Sequence, residues 1–242
     1  LHASSPPQFP NPFHPRCPFR SGLRGRFWSG RVNLMSNSDL TRFQSQETAF
    51  IFHRLRAETA DAHSALEGQL PVFDPKLSLD RYRQLLIRLY GYYLPLEECL
   101  LSDPQLAETQ FDYTERAKSP LIEADLLALG ETPTTISQIP RCTSLPVLVT
   151  RAELFGGLYV IESATLRSQA IRRHLQAKLG LTLENGGAFF SGYDSDTMRK
   201  WNEFSATLVE AAAEFGDDDG IVESARRTCE TLENWLGQSP GV

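Results

Sequence analysis

The stretch TADAHSALEG, residues 59–68, places His63 within a helical pattern and Glu67 one turn later. Leu55, Thr59, Ala62, Leu66 and Leu70 mark the expected buried face, and His63 lies on or beside it. Arg56 stands seven residues earlier, two turns away on the same face. An imidazole can ligate a metal through one ring nitrogen while the other bonds an outer acceptor, and a carboxylate at i+4 is within reach of it. The pair therefore reads either as an ordinary helical His–Glu contact or as a ligand with its orienting group.

Other chemistries lack their residues. The chain has five histidines, and none stands three residues after a glutamate, so the paired Glu-x-x-His of a di-iron bundle is missing. HExxH, GxSxG and the P-loop pattern are absent as well. The four cysteines, Cys17, Cys99, Cys142 and Cys229, form no CxxC or Cys/His cluster, which argues against zinc and against a disulfide framework. Scattered thiols fit a reducing cytoplasm. One histidine without companion ligands suits a cofactor that brings most of its own ligands, and haem needs only an axial side chain.

The positioning elements are helical. SLDRYRQLLIRLYGYYLPLEECLL predicts a helix with Ser78 as N-cap and a kink or break at Pro95. SPLIEADLLALG predicts a short helix with Ser119 as cap, Pro120 at its first position and Gly130 past its end. A long helical segment is expected from about Ser144 to Gly180, another ending at Gly216 and a last one at Gly237. The first runs from roughly 47 to 69. No strand alternation or repeat intervenes, so residues 45–238 are expected to form one all-α domain, a multi-helix bundle with Phe189, Phe190, Trp201, Phe204 and Trp235 in its core.

Residues 1–34 differ in kind. They hold six prolines, five arginines and no acid, and the first methionine is Met35. Three readings fit: upstream sequence translated from a wrongly chosen start, a disordered tail, or a transit peptide. Residues 1–44 are accordingly set apart as a disordered or non-native extension. With the chain at −6, subtracting those five positive charges leaves −11 on the rest. An acidic body argues against nucleic acid or an anionic membrane as partner, and no apolar run approaches a membrane span.

The order of motifs carries a resemblance. RLRAETADAHSALEG is similar to the proximal helix of bacterial haem oxygenases of the biliverdin-producing, bacteriophytochrome-associated type. The similarity continues through YRQLLIRLYGYYLPLE, KSPLIEADLLALG, GGLYVIESATLRSQAIRRHL, GAFFSGY and WNEFSATL, covering about residues 50–236. It implies the haem oxygenase bundle, with haem between a proximal and a distal helix. His63 would be the axial iron ligand, Glu67 the carboxylate orienting it, and Arg56 a partner for a haem propionate, with Arg199 and Lys200 as weaker propionate candidates. It also implies cleavage of haem with dioxygen to biliverdin, carbon monoxide and iron. Electrons would come from a ferredoxin or a reductase, and a bacteriophytochrome is a plausible acceptor of the product.

The distal helix departs from that resemblance. Where related enzymes read LYVxEGSTLGGQ, this chain reads LYVIESATLRSQ, with Ser163, Arg167 and Ser168 in place of glycines and Ala164 in place of serine. Interior glycines cost a helix about 1 kcal/mol each against alanine, so a family that keeps them needs close backbone approach, a bend, or both. Arg167 would lie at the haem edge, block the pocket or point outward; Gly156–Gly157 would preserve part of the bend. Haem oxygenase activity is the leading expectation. A non-catalytic haem binder and a haem-free protein on the same fold are the alternatives.

Overall fold

The structure, a computed structural model, describes residues 50–109 and 111–238. The expected extension at 1–44 lies outside them. Among the described residues there are helices and turns and no strand, and all of them fall within one compact unit.

The helix that carries His63 comes in two pieces, α1 over 50–58 and α2 over Ala60–Gly68. The joint is Thr59, whose hydroxyl donates to the Leu55 carbonyl at 2.6 Å while its own N–H reaches the same oxygen at 3.1 Å. Back-bonding of this kind bends a helix without ending it, and His63 N–H continues the ladder to the Thr59 carbonyl at 2.9 Å. Leu55 and Thr59 are fully buried and Leu66 nearly so, the face read from the sequence.

Helix α3, Leu79–Ser102, starts on the expected Ser78 cap and continues past Pro95 without a break. Proline at 95 removes the N–H that would have bonded the carbonyl four residues back. That carbonyl, of Gly91, instead accepts from Cys142 N–H at 2.8 Å, so no orphan acceptor remains to break the helix. After the single turn of α4, Pro104–Ala107, comes α5, Ser119–Ala128, whose N-cap position is Lys118. Ser119 does not cap it. Glu97 of α3 does, accepting from the backbone N–H groups of Lys118 at 2.6 Å and Ser119 at 2.8 Å and from the hydroxyl of Tyr113 at 2.9 Å. A buried carboxylate is satisfied here by the orphan donors and positive end of a helix N-terminus.

Following the short α6, Pro133–Ser137, the segment expected as one helix from Ser144 to Gly180 divides. Helix α7, Arg151–Ala164, begins at a Thr150–Glu153 capping box. A turn of 3₁₀ helix, Thr165–Arg167, follows, and α8, Ser168–Leu179, ends at left-handed Gly180. Next come α9, Thr197–Phe215, ending at left-handed Gly216, and α10, Asp218–Gly237.

Helix α7 is the centre. Its residues from Leu154 to Glu162 are all buried, the pattern of a helix covered on every side. It packs on α9 and, most extensively, on α10, and α10 in turn carries α2 and α3. Gly156 permits the α7–α10 approach: a Cβ there would stand 2.3 Å from the Ile221 carbonyl and 2.9 Å from Ala225 N. Gly156 and Gly157 thus face α10 and the Leu148–Thr228 side, where the missing side chains allow close helix contact. Phe204 and Phe190 lie in the core, with Phe189, Trp201 and Trp235 half-buried against it.

Candidate functional site

Two helices supported by the same third one meet through side chains. From α2, the half-buried His63 places its ring edge-on to Tyr159 of α7, centroids 6.1 Å apart. One turn along α2, Glu67 forms an ion pair with Arg167 of the turn that follows α7. Burial, with a smaller contribution from the Arg167 charge, lowers the imidazole pKa below its usual value, which keeps the ring neutral and its lone pair available.

Each member of the expected His63–Glu67 pair has a contact on another element. The Glu67 carboxylate goes to Arg167, and His63 Nδ1 lies 3.4 Å from Sγ of Cys229, a fully buried residue of α10. Burial pushes the Cys229 thiol up to about 12, so it stays protonated. With Nδ1 against sulfur, Nε2 is the nitrogen left for a ligand. Arg56 is exposed, and its charge acts on Tyr159, opposing the upward push that burial gives that phenol. Arg56, Tyr159 and His63 therefore share one neighbourhood.

The positions that depart from the distal-helix pattern differ in their exposure. Ser163 is half-buried and donates back to the Val160 carbonyl at 3.2 Å. Ala164 is exposed, and the Arg167 side chain is 64% exposed. Ser168 is buried against Gly192, where a Cβ would meet its Oγ at 2.9 Å; Gly192 has φ +58. Left-handed backbone and contact together require glycine there.

The end of α7 carries a buried charge network. Glu162, with no exposure, accepts from Arg116 at 2.8 Å and from the Tyr193 hydroxyl at 2.6 Å, and stands 3.5 Å from Lys118 Nζ. Lys118 also contacts the Tyr193 hydroxyl. Burial lowers the Lys118 ammonium to about 8 against the pull of Glu162. Removing one partner from such a set typically costs 3–5 kcal/mol, so the network fixes the rotation of α7.

Arg199 and Lys200 are placed elsewhere. Arg199 pairs along its own helix with Asp196 and Glu203 at 2.7 Å each, and Lys200 reaches Glu115 at 3.2 Å. Both line a cleft of about 610 Å³ with Glu108, Arg116, Arg151 and Phe215, and neither His63 nor Glu67 borders it. Among the described residues the other histidines do not share the site: His53 is exposed, and His174 packs on Phe73 at 5.1 Å. Cys229 and Tyr159 were missed in the sequence because their proximity to His63 arises only when α10 and α7 are laid together. Cys229 sits in an apolar helix face where a thiol reads as a small hydrophobe.

Fold and side chains together define an all-α protein in which a histidine-bearing helix and a charge-anchored helix face each other across a side-chain bridge. The chain belongs to the haem oxygenase family: the family model described as Heme oxygenase matches residues 50–237. No curated relative matches it.

Proposed function

We propose that the protein is an active haem oxygenase that holds haem between α2 and α7 with His63 as axial ligand and opens it to biliverdin, carbon monoxide and iron. The observation that carries this is the state of His63: half-buried, neutral, turned toward the distal helix, with Nδ1 engaged by Cys229. A haem fits that donor set, since iron takes a neutral imidazole nitrogen and the propionates call for cations. Arg56 and Arg167 are the cations of this neighbourhood, and Arg199 pairs within its own helix instead. When bound, haem supplies the iron that activates dioxygen and the ring carbon that is attacked.

The chain's own side chains have three tasks. His63 fixes the macrocycle at one point. Tyr159 and Arg167 swing aside to admit it, because both now contact α2, while α7 itself is anchored through Glu162. Arg167, tied one turn beyond His63 rather than over it, stands at the edge, and that placement favours turnover. Electrons are expected from a ferredoxin or a reductase, with a bacteriophytochrome as acceptor and the cytoplasm as location. Among the described residues no helix is long and apolar enough to cross a membrane.

The test is direct. Haemin added to purified protein should give a Soret band, and NADPH with a reductase, a ferredoxin and oxygen should convert it to biliverdin absorption. A stable Soret band with no biliverdin would favour the non-catalytic haem binder, a reading that the Arg167–Glu67 bridge across the gap also fits.

A further inference from the structure

We infer that Cys229, not Glu67, is the residue that positions the axial imidazole: its sulfur accepts the Nδ1–H of His63 and so presents the Nε2 lone pair to iron. The inference rests on the reading of His63 as the haem ligand.

Three observations converge on it. First, Sγ stands 3.4 Å from His63 Nδ1, a normal separation for an N–H···S contact. Second, the thiol is immobile. Cys229 is fully buried in α10, the helix that packs on α2, α3 and α7 at once, whereas Glu67 has a 48% exposed side chain at the end of α2. Third, the carboxylate that could have served is engaged by Arg167.

Ligation through Nε2 requires one direction of that bond. A neutral imidazole carries one proton, and Nε2 can ligate only if that proton is on Nδ1. A thiol can also donate its S–H to a bare Nδ1; here Cys229 is assigned the acceptor's part, which sets the ligating tautomer before any iron arrives, the role an outer partner plays for a ligating histidine. Sulfur is a weaker acceptor than a carboxylate, so it orients the ring while giving it less anionic character. The result is a neutral-imidazole ligand with a comparatively weak push onto the metal.

The experiment uses the full chain without haem and then with haemin. In the apo-protein, nitrogen NMR of His63 at a pH where the ring is neutral should show the Nδ1–H tautomer predominating. Cys229→Ala should move the population toward Nε2–H, Cys229→Ser should keep it on Nδ1–H, and Glu67→Gln should leave it where it is. In the ferrous complex, Cys229→Ala should lower the iron–histidine stretching frequency and weaken haemin affinity by about 10-fold, the lower end of outer-partner losses, with Cys229→Ser restoring both. A tautomer population that ignores Cys229→Ala, or that follows Glu67→Gln instead, would overturn the inference. Because the NMR readout needs no haem, absence of a Soret band would sink the haem reading separately from this one.

Discussion

Arg167, standing where the resembled enzymes have glycine, forms an ion pair with Glu67 across the gap between the turn after α7 and the helix that carries His63. The contact joins the two elements between which we propose that haem is held. Both partners are largely exposed, 64% and 48%, and pairs of that kind contribute at most about 1 kcal/mol. The bridge is therefore a weak tie that a dianionic ligand can replace by offering Arg167 a carboxylate of its own.

From this follows the behaviour of Arg167→Gly. Wild type should already turn haem over, and the variant should lose haem faster, by about 10-fold for a loss near 1.4 kcal/mol, as read by transfer to a competing haem scavenger. In the apo-protein the His63 pKa should rise when the arginine charge is removed, yet stay below the usual histidine value, because burial is the larger cause of its depression. If instead the variant makes biliverdin and wild type does not, Arg167 obstructs the pocket.

His63→Ala should abolish the histidine-ligated haem spectrum and leave the helical circular dichroism nearly unchanged. The ring is only half-buried and its contacts are with Tyr159 and Cys229, so little of the core depends on it. An unaltered haem spectrum in this variant would move the ligand assignment to another histidine. His53, nearly three turns earlier on the same helix pair, would be next by sequence, although its exposure counts against it.

The helical class, the buried face of α2 and the stops at Gly130, Gly180 and Gly216 were legible in the sequence because they follow from local periodicity and cap chemistry. Those features need no knowledge of what lies across the core. The errors share the opposite property. Pro95 failed to break α3 because a loop residue, Cys142, met the Gly91 carbonyl. Ser119 lost its capping role to Glu97, 22 positions away. Glu67 was read as the partner of His63 from i, i+4 spacing, and that spacing holds, but Arg167 offers the carboxylate a full charge from another element. Cys229 carried no signal, since 166 positions separate it from His63.

Gly156→Ala should destabilise the protein more than helix propensity alone would suggest. Propensity favours alanine by about 1 kcal/mol, but the new methyl would meet backbone atoms of Ile221 and Ala225, which cannot rotate away. Overpacking of this kind typically costs 1–3 kcal/mol. Thermal unfolding should show a clear fall in Tm, and haem affinity should fall with it because α10 carries both site helices. A Tm at or above wild type would mean that the α7–α10 spacing adjusts freely.

Asp125 gives a pH signature that separates fold from site. Burial raises its carboxyl from 3.8 to about 6, against the lowering effect of the Phe189 and Ala188 N–H groups it accepts from. The folded state therefore holds this proton more tightly than the unfolded chain does. Its stabilising contribution is complete below pH 3.8 and is lost as pH rises through about 6. A shift of roughly two units corresponds to about 3 kcal/mol at most. In Asp125→Asn the titration is absent, so the stability of the variant relative to wild type should climb as pH goes from 4 to 7, whatever constant offset the lost hydrogen bond introduces. Paired thermal melts across that range provide the measurement. A difference that stays flat, or that falls with rising pH, would show that the two backbone donors outweigh burial and that Asp125 is ionised throughout.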